Sequence, residues 1–113
     1  MLPRANRLLK KNDFNNVWQN GRSAFGQFLG IKAIKNELGL TRFGIMIGLK
    51  VSKKAVERNK IKRRLREAIR ALSPLLNLNF DVAISVLPAA KEKNLAELKN
   101  ALEEGFKRLR ILK

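Results

Sequence analysis

At 113 residues, 45% of them hydrophobic, the chain is long enough for one hydrophobic core and too short for two. Twenty-five Lys and Arg against nine Asp and Glu leave a net charge of +16, far more than solubility asks of a small domain, which points to a polyanionic partner. With no His, Cys or Tyr, the usual neutral-pH general base, the strongest covalent nucleophiles, disulfides and thiolate metal sites are all excluded.

In chain order, "MLPRANRLLKK" shows no apolar stretch followed by a small-residue cleavage site, so no signal peptide is expected. No apolar run approaches the roughly 20 residues that span a bilayer, and a cytoplasmic protein is the expectation. Residues 12–19, "NDFNNVWQ", predict a short helix with Asn12 or Asp13 as its N-cap and Phe14, Val17 and Trp18 on one face, ended by Gly21. Residues 25–35 and 42–50 read as strands around the turn signal "KNELG". In the second of these, Phe43, Ile45, Ile47 and Leu49 alternate with Gly44, Met46, Gly48 and Lys50. A later strand, "NFDVAISVL", sets Phe80, Val82, Ile84 and Val86 against Asp81, Ala83, Ser85 and Leu87. One sheet face is therefore a core wall and the other is stripped of bulk, either beneath a closely packed helix or as the floor of a groove. Pro88 closes that strand, and residues 93–112 predict a helix capped by Asn94. Its apolar stripe is Leu95, Leu98, Ala101, Leu102, Phe106 and Leu109. The order is α, two or more strands, α, strand, α: an α+β sandwich on one sheet, in a single domain spanning 1–113.

The helix between the strands carries the signal. "KKAVERNKIKRRLREAIR", Lys53 to Arg70, holds nine Lys and Arg against Glu57 and Glu67. At about 100° per residue, Ile61, Leu65, Ala68, Ile69 and Leu72 form a stripe that packs. Arg58, Lys62 and Arg66 form a row along one flank, with Asn59, Arg63 and Arg70 just beyond. Arg64 lies on the other flank, and Lys60 and Glu67 point away. The i,i+4 pairs Arg58–Lys62, Lys60–Arg64, Lys62–Arg66 and Arg66–Arg70 are like-charged and together cost roughly 1–2 kcal/mol at low salt. A polyanion along the row would turn that cost into attraction. An anionic membrane is a poorer partner, because the apolar face that insertion needs is required for the core. The nine carboxylates, Asp13, Glu37, Glu57, Glu67, Asp81, Glu92, Glu97, Glu103 and Glu104, are scattered without a D-x-D or D-x-E pair, so the sequence indicates no metal-dependent centre and assigns no metal ligands.

"VSKKAVERNKIKRRLREA" (51–68) resembles the signature of the bacterial ribonuclease P protein family, K-x-A-V-x-R-N-x-x-K-R-x-x-R, at Lys53, Ala55, Val56, Arg58, Asn59, Lys62, Arg63 and Arg66. "NRLLKKNDFNNVWQNGRS" resembles the family's opening segment, and "RFGIMIGLKVS" its strand before the basic helix. The likeness covers roughly residues 4–110. It implies the order αβββαβα around a mostly antiparallel sheet, with a left-handed βαβ crossover. It further implies an RNA-binding subunit that assists a catalytic RNA, with Mg²⁺ used by the RNA, in removing the 5′ leader of precursor tRNA; no membrane or protein partner is implied. By match, Lys53, Lys54, Arg58, Asn59, Lys62, Arg63, Arg66 and Arg70 would bind the ribozyme RNA, and Phe14, Trp18, Ile31 and Lys50 the leader. From the residues alone, an ordinary core is the favoured place for Phe14 and Trp18. The chain departs from the family's two strand-end lysines, with Leu49 before Lys50, and from its first-strand tyrosine, with Ile31 near that place. A ribosomal or ribosome-assembly RNA-binding protein without a part in catalysis is the alternative. A DNA-binding module fits less well, because the basic row flanks a packed stripe instead of projecting from a free recognition helix.

Overall fold

The computed structural model describes residues 4–8 and 10–113, so the first three residues and Leu9 of the opening segment lie outside the described residues. Helix α1 (Lys11–Asn20) leads into strands β1 (Arg22–Phe25), β2 (Leu29–Lys35) and β3 (Arg42–Met46). Helix α2 (Ala55–Leu72), strand β4 (Phe80–Val86) and helix α3 (Leu95–Arg108) complete the expected αβββαβα order. In the sheet the strands lie β1-β2-β4-β3, with β2 antiparallel to both β1 and β4, and β3 parallel to β4.

Three expectations shift in detail. The first apolar segment divides into a hairpin, because Gly26 N–H bonds to Leu29 O at 2.9 Å and turns the chain within three residues. "KNELG" joins β2 to β3 as the turn signal predicts, and β4 lies between those two strands in the sheet. The predicted strand 42–50 stops at Met46, leaving Leu49 and Lys50 exposed in the following loop. At α1 the N-cap is Lys10 without a side-chain cap bond, not Asn12 or Asp13, because the Asp13 carboxylate is engaged by Arg42 instead. Gly21 does end that helix: its N–H bonds to Val17 O at 2.8 Å, and a Cβ there would stand 2.5 Å from the same oxygen. Asn94 caps α3 in a full capping box with Glu97, as its position before the apolar stripe suggests.

The two sheet faces differ as the alternation predicts. Leu29, Ile31, Ala33, Phe43, Phe80, Val82, Ile84 and Val86 pack with the stripes of α2 and α3 in one core. The α2 residues buried there are Ile61, Leu65, Ala68, Ile69 and Leu72, the five the 100° projection selects. At about 1.5–3 kcal/mol for each fully buried Leu or Ile, this burial outweighs the like-charge repulsion along the same helix. On the opposite face α1 seats Val17 against Ala83 and Leu8, with Phe14 and Ile34 at the margin. Gly44 is small because α1 is close: a Cβ there would lie 2.1 Å from Phe14 Cζ.

Arg42 fixes α1 on the sheet. Its Nε donates to Asp81 Oδ1 at 2.8 Å and its Nη2 to Asp81 Oδ2 at 2.6 Å, a bidentate pair between β3 and β4. Nη1 reaches Asp13 Oδ2 at 3.2 Å, so the same guanidinium ties the first turn of α1 to both strands. Asn36 donates a further bond to Asp81 Oδ1 at 2.8 Å. The bonds it donates to buried Asp81 raise the Arg42 pKa above its ordinary value, so it stays charged throughout the working range. Removing one partner of a buried pair leaves the other uncompensated. Asp81→Ala should therefore lower unfolding free energy by about 3–5 kcal/mol in urea titrations. A loss below about 1 kcal/mol would show that Arg42 is no clamp.

Candidate nucleic-acid interface

Burial along α2 reproduces the predicted sides. Arg58, Lys62 and Arg66 are half-buried along one flank, Asn59, Arg63 and Arg70 are exposed beyond them, and Lys60 and Glu67 point to solvent. Arg64, on the other flank, donates from Nη1 to Lys93 O at 3.1 Å and ties α2 to the segment before α3. The ion pairs among the described residues engage Arg42, Lys54, Lys91 and Lys93, and none takes a cation from the Arg58–Lys62–Arg66 row or from Arg63 and Arg70. The row is thus a line of guanidinium and ammonium groups whose neutralisation is left to something outside the fold.

The start of α2 is built by the loop before it. Ser52 is buried, and its hydroxyl accepts from Lys54 N–H at 3.1 Å and donates to Glu57 Oε2 at 3.0 Å. Arg58 Nη1 donates to Ser52 O at 3.0 Å, so the first member of the row also holds this loop in place. Lys53 and Lys54 are exposed, Lys54 lying 3.9 Å from Glu57 Oε1. Lys50 is exposed in the same loop. Val56, although apolar, is 73% exposed and contributes nothing to the stripe.

On the α1 face, strand register lays out the ground. Gly44, Ala83 and Lys32 form one cross-strand row, and α1 runs along it, with Phe14 on Gly44, Val17 on Ala83 and Trp18 by Lys32. The helix turns Asp13 toward Arg42 on one side and Phe14 and Trp18 toward the other. On that other side lies the next cross-strand row, Met46, Ser85, Gly30 and Phe25, where Met46 and Phe25 are exposed and Ser85 is half-buried. Of the two readings of the stripped face, the packed helix therefore holds over Gly44 and Ala83, while one row further on Met46 and Phe25 are exposed and Gly30 lies beneath the Phe25 ring. Lys32 Nζ sits 4.8 Å from the Trp18 ring centroid and donates to Trp18 O at 2.6 Å, which pins the indole, 36% exposed, as the wall of this cleft.

Cleft and row meet at the β3 edge. Arg7, Leu8, Phe14, Phe43, Gly44, Ile45 and Arg66 line one shared hollow, so an α1 aromatic and an α2 arginine border the same space. Arg7 is carried there by a parallel bridge to Phe43, and its buried Nε has no hydrogen-bond partner among the described residues.

Ile31 is corrected. It is 1% exposed and points to the α3 side of β2, where its Cδ1 would meet a Cβ on Gly105 at 2.4 Å. The residues of β2 that reach the cleft are its neighbours Gly30 and Lys32. A lysine within an apolar strand run marks the solvent side, and Lys32 was legible on that ground. Arg7 carries no sequence signal, since only its bridge to β3 brings it to the site.

Comparison with known proteins points to one family. A family model described as Ribonuclease P matches residues 2–110. A ribonuclease P protein component of Pseudanabaena sp. is 34% identical, covering 99% of this chain and 97% of that protein. One from Picosynechococcus sp. is 39% identical, covering 97% and 91%. Among solved structures, the RNase P protein of Staphylococcus aureus superposes with a TM-score of 0.88 at 28% identity, covering 97% of this chain and all of that one. That of Thermotoga maritima gives 0.80 at 25% identity, covering 95% and 98%.

The loop carrying Lys50, Lys53 and Lys54 offers a test independent of any relative. The Ser52 hydroxyl holds the Glu57 carboxyl below its ordinary value of 4.5, with Lys91 and Lys54 adding attraction. A depressed carboxylate stabilises the fold above its unfolded value and loses that contribution as pH falls through the folded one. The Tm difference between wild type and Glu57→Gln should be full above about pH 4.5 and close as the solution is acidified further. A difference independent of pH would remove Glu57 from the loop's support.

Proposed function

The chain belongs to the ribonuclease P protein family, the protein component of a tRNA-processing ribonucleoprotein enzyme, and from that premise we propose how its two surfaces divide the work. The Arg58–Lys62–Arg66 row, flanked by Lys53, Lys54, Asn59, Arg63 and Arg70, docks ribonuclease P RNA. The cross-strand row beside α1 takes the single-stranded 5′ leader of precursor tRNA, with Phe14 and Trp18 as stacking faces and Lys32 and Lys50 meeting phosphates. The observation that carries this reading is the hollow shared by Arg7, Phe14 and Arg66, which makes cleft and row one continuous surface around the β3 edge.

In this reading the protein supplies binding and position, and the RNA supplies the chemistry. Hydrolysis of the phosphodiester bond belongs to the RNA and its Mg²⁺, and the protein lowers the Mg²⁺ requirement by neutralising phosphates where the two RNAs converge. A chain without His, Cys or Tyr has little else to offer the reaction at neutral pH. Its place of work is the cytoplasm, alongside both RNAs.

Reconstitution with a ribonuclease P RNA tests this. The protein should lower the Mg²⁺ needed for leader removal and favour precursor over mature tRNA. Stimulation of neither, together with co-fractionation with ribosomal subunits, would favour the ribosomal alternative. Arg58→Ala and Arg66→Ala should each weaken ribonuclease P RNA binding and reduce the log–log salt slope by about 0.7–0.9. Unchanged slopes in both would make the row a merely solvated face.

A further inference from the structure

We propose that Phe25, lying on Gly30, is a further stacking platform at the end of the cleft farthest from the basic row, and that it takes the leader nucleotides most distant from the cleaved bond. This rests on the leader-binding reading above and extends it to the opposite edge of the sheet.

The register places Phe25 opposite Gly30, Gly30 opposite Ser85, and Ser85 opposite Met46, so all four belong to the row beside α1. Ala24 and Leu29 point into the α3 core, which puts Phe25 and Gly30 on the cleft side. The Phe25 ring lies against the Gly30 backbone: a Cβ on residue 30 would stand 2.6 Å from Phe25 Cε1 and lift the ring off. The seat holds the ring down, yet leaves the residue 54% exposed.

Charge at this end fits the same occupant. Arg108 Nη1 donates to Phe25 O at 3.2 Å, bringing an exposed guanidinium to the backbone of the platform. Lys32, one row away on β2, stands between Phe25 and the Trp18 wall. Strands about 4.8 Å apart set β1 roughly 14 Å from β3. At about 3.4 Å per stacked base, that width is on the order of four nucleotides. The basic row borders the β3 end, so a leader leaving the ribozyme there reaches Phe14 and Trp18 first and Phe25 last.

A simpler role for Phe25 is to cover the Gly30 backbone, as aromatic side chains do for strand glycines. Leucine would keep that cover and lose the π face. The test measures precursor binding by the reconstituted holoenzyme with leaders trimmed stepwise from the 5′ end, using Phe25→Ala, Phe25→Leu and Phe25→Tyr. Both Phe25→Ala and Phe25→Leu should weaken long-leader binding about five- to tenfold, the low end for stacking of one base, and Phe25→Tyr should not. The loss should vanish as the leader is shortened, before the loss caused by Phe14→Ala does. Full affinity in Phe25→Leu, or a penalty equal at every leader length, would overturn the proposal while leaving the leader cleft standing. A wild-type holoenzyme that binds precursor and mature tRNA alike would instead remove the cleft reading itself, and the platform with it.

Discussion

Burial of one stripe of α2 sets the terms for the rest of the molecule. Ile61, Leu65, Ala68, Ile69 and Leu72 are driven into the core between the sheet and α3, and their burial fixes the rotation of the helix. Once that rotation is fixed, Arg58, Lys62 and Arg66 must stand together along the flank that borders β3, whatever their mutual repulsion. A free helix of this sequence could splay its cations into solvent. The packed helix cannot, so it presents them as a preformed line and leaves little side-chain ordering to be done on binding.

The sheet carries the second half of the design through what it omits. β4 is central, flanked by β2 and β3, and both of its faces are covered where α1 crosses. Small residues at Gly44 and Ala83 let α1 settle onto the sheet, and the Arg42 bonds to Asp81 and Asp13 decide which way it rolls. That roll directs Phe14 and Trp18 toward the next cross-strand row. The clamp is thus a structural ion pair with a consequence for binding: it seats Phe14 beside the space that Arg66 borders, with Trp18 further along the sheet by Lys32.

Much of this was legible in the sequence because it depends on short-range periodicity. The 3.6-residue repeat selected the α2 core residues and placed each cation of that helix on its proper side. The two-residue repeat separated Phe80, Val82, Ile84 and Val86 from Asp81, Ala83 and Ser85. What was not legible depended on strand order and register. The insertion of β4 between β2 and β3 leaves no mark near "KNELG". The assignment of Ile31 to the cleft failed by one residue, and in a strand one residue is a change of face. The row of Met46, Ser85, Gly30 and Phe25 draws on four strands, and only their pairing brings it together.

The claim that the row, and not basic character in general, docks the RNA is tested most directly by amine footprinting of the native protein on α2. Lys60 and Lys62 are two residues apart, carry the same charge and lie about 200° apart around the helix. On addition of ribonuclease P RNA, Lys62 should be protected from acetylation and Lys60 should keep most of its reactivity. Equal protection of both, or protection of Lys60 with Lys62 still reactive, would contradict the account.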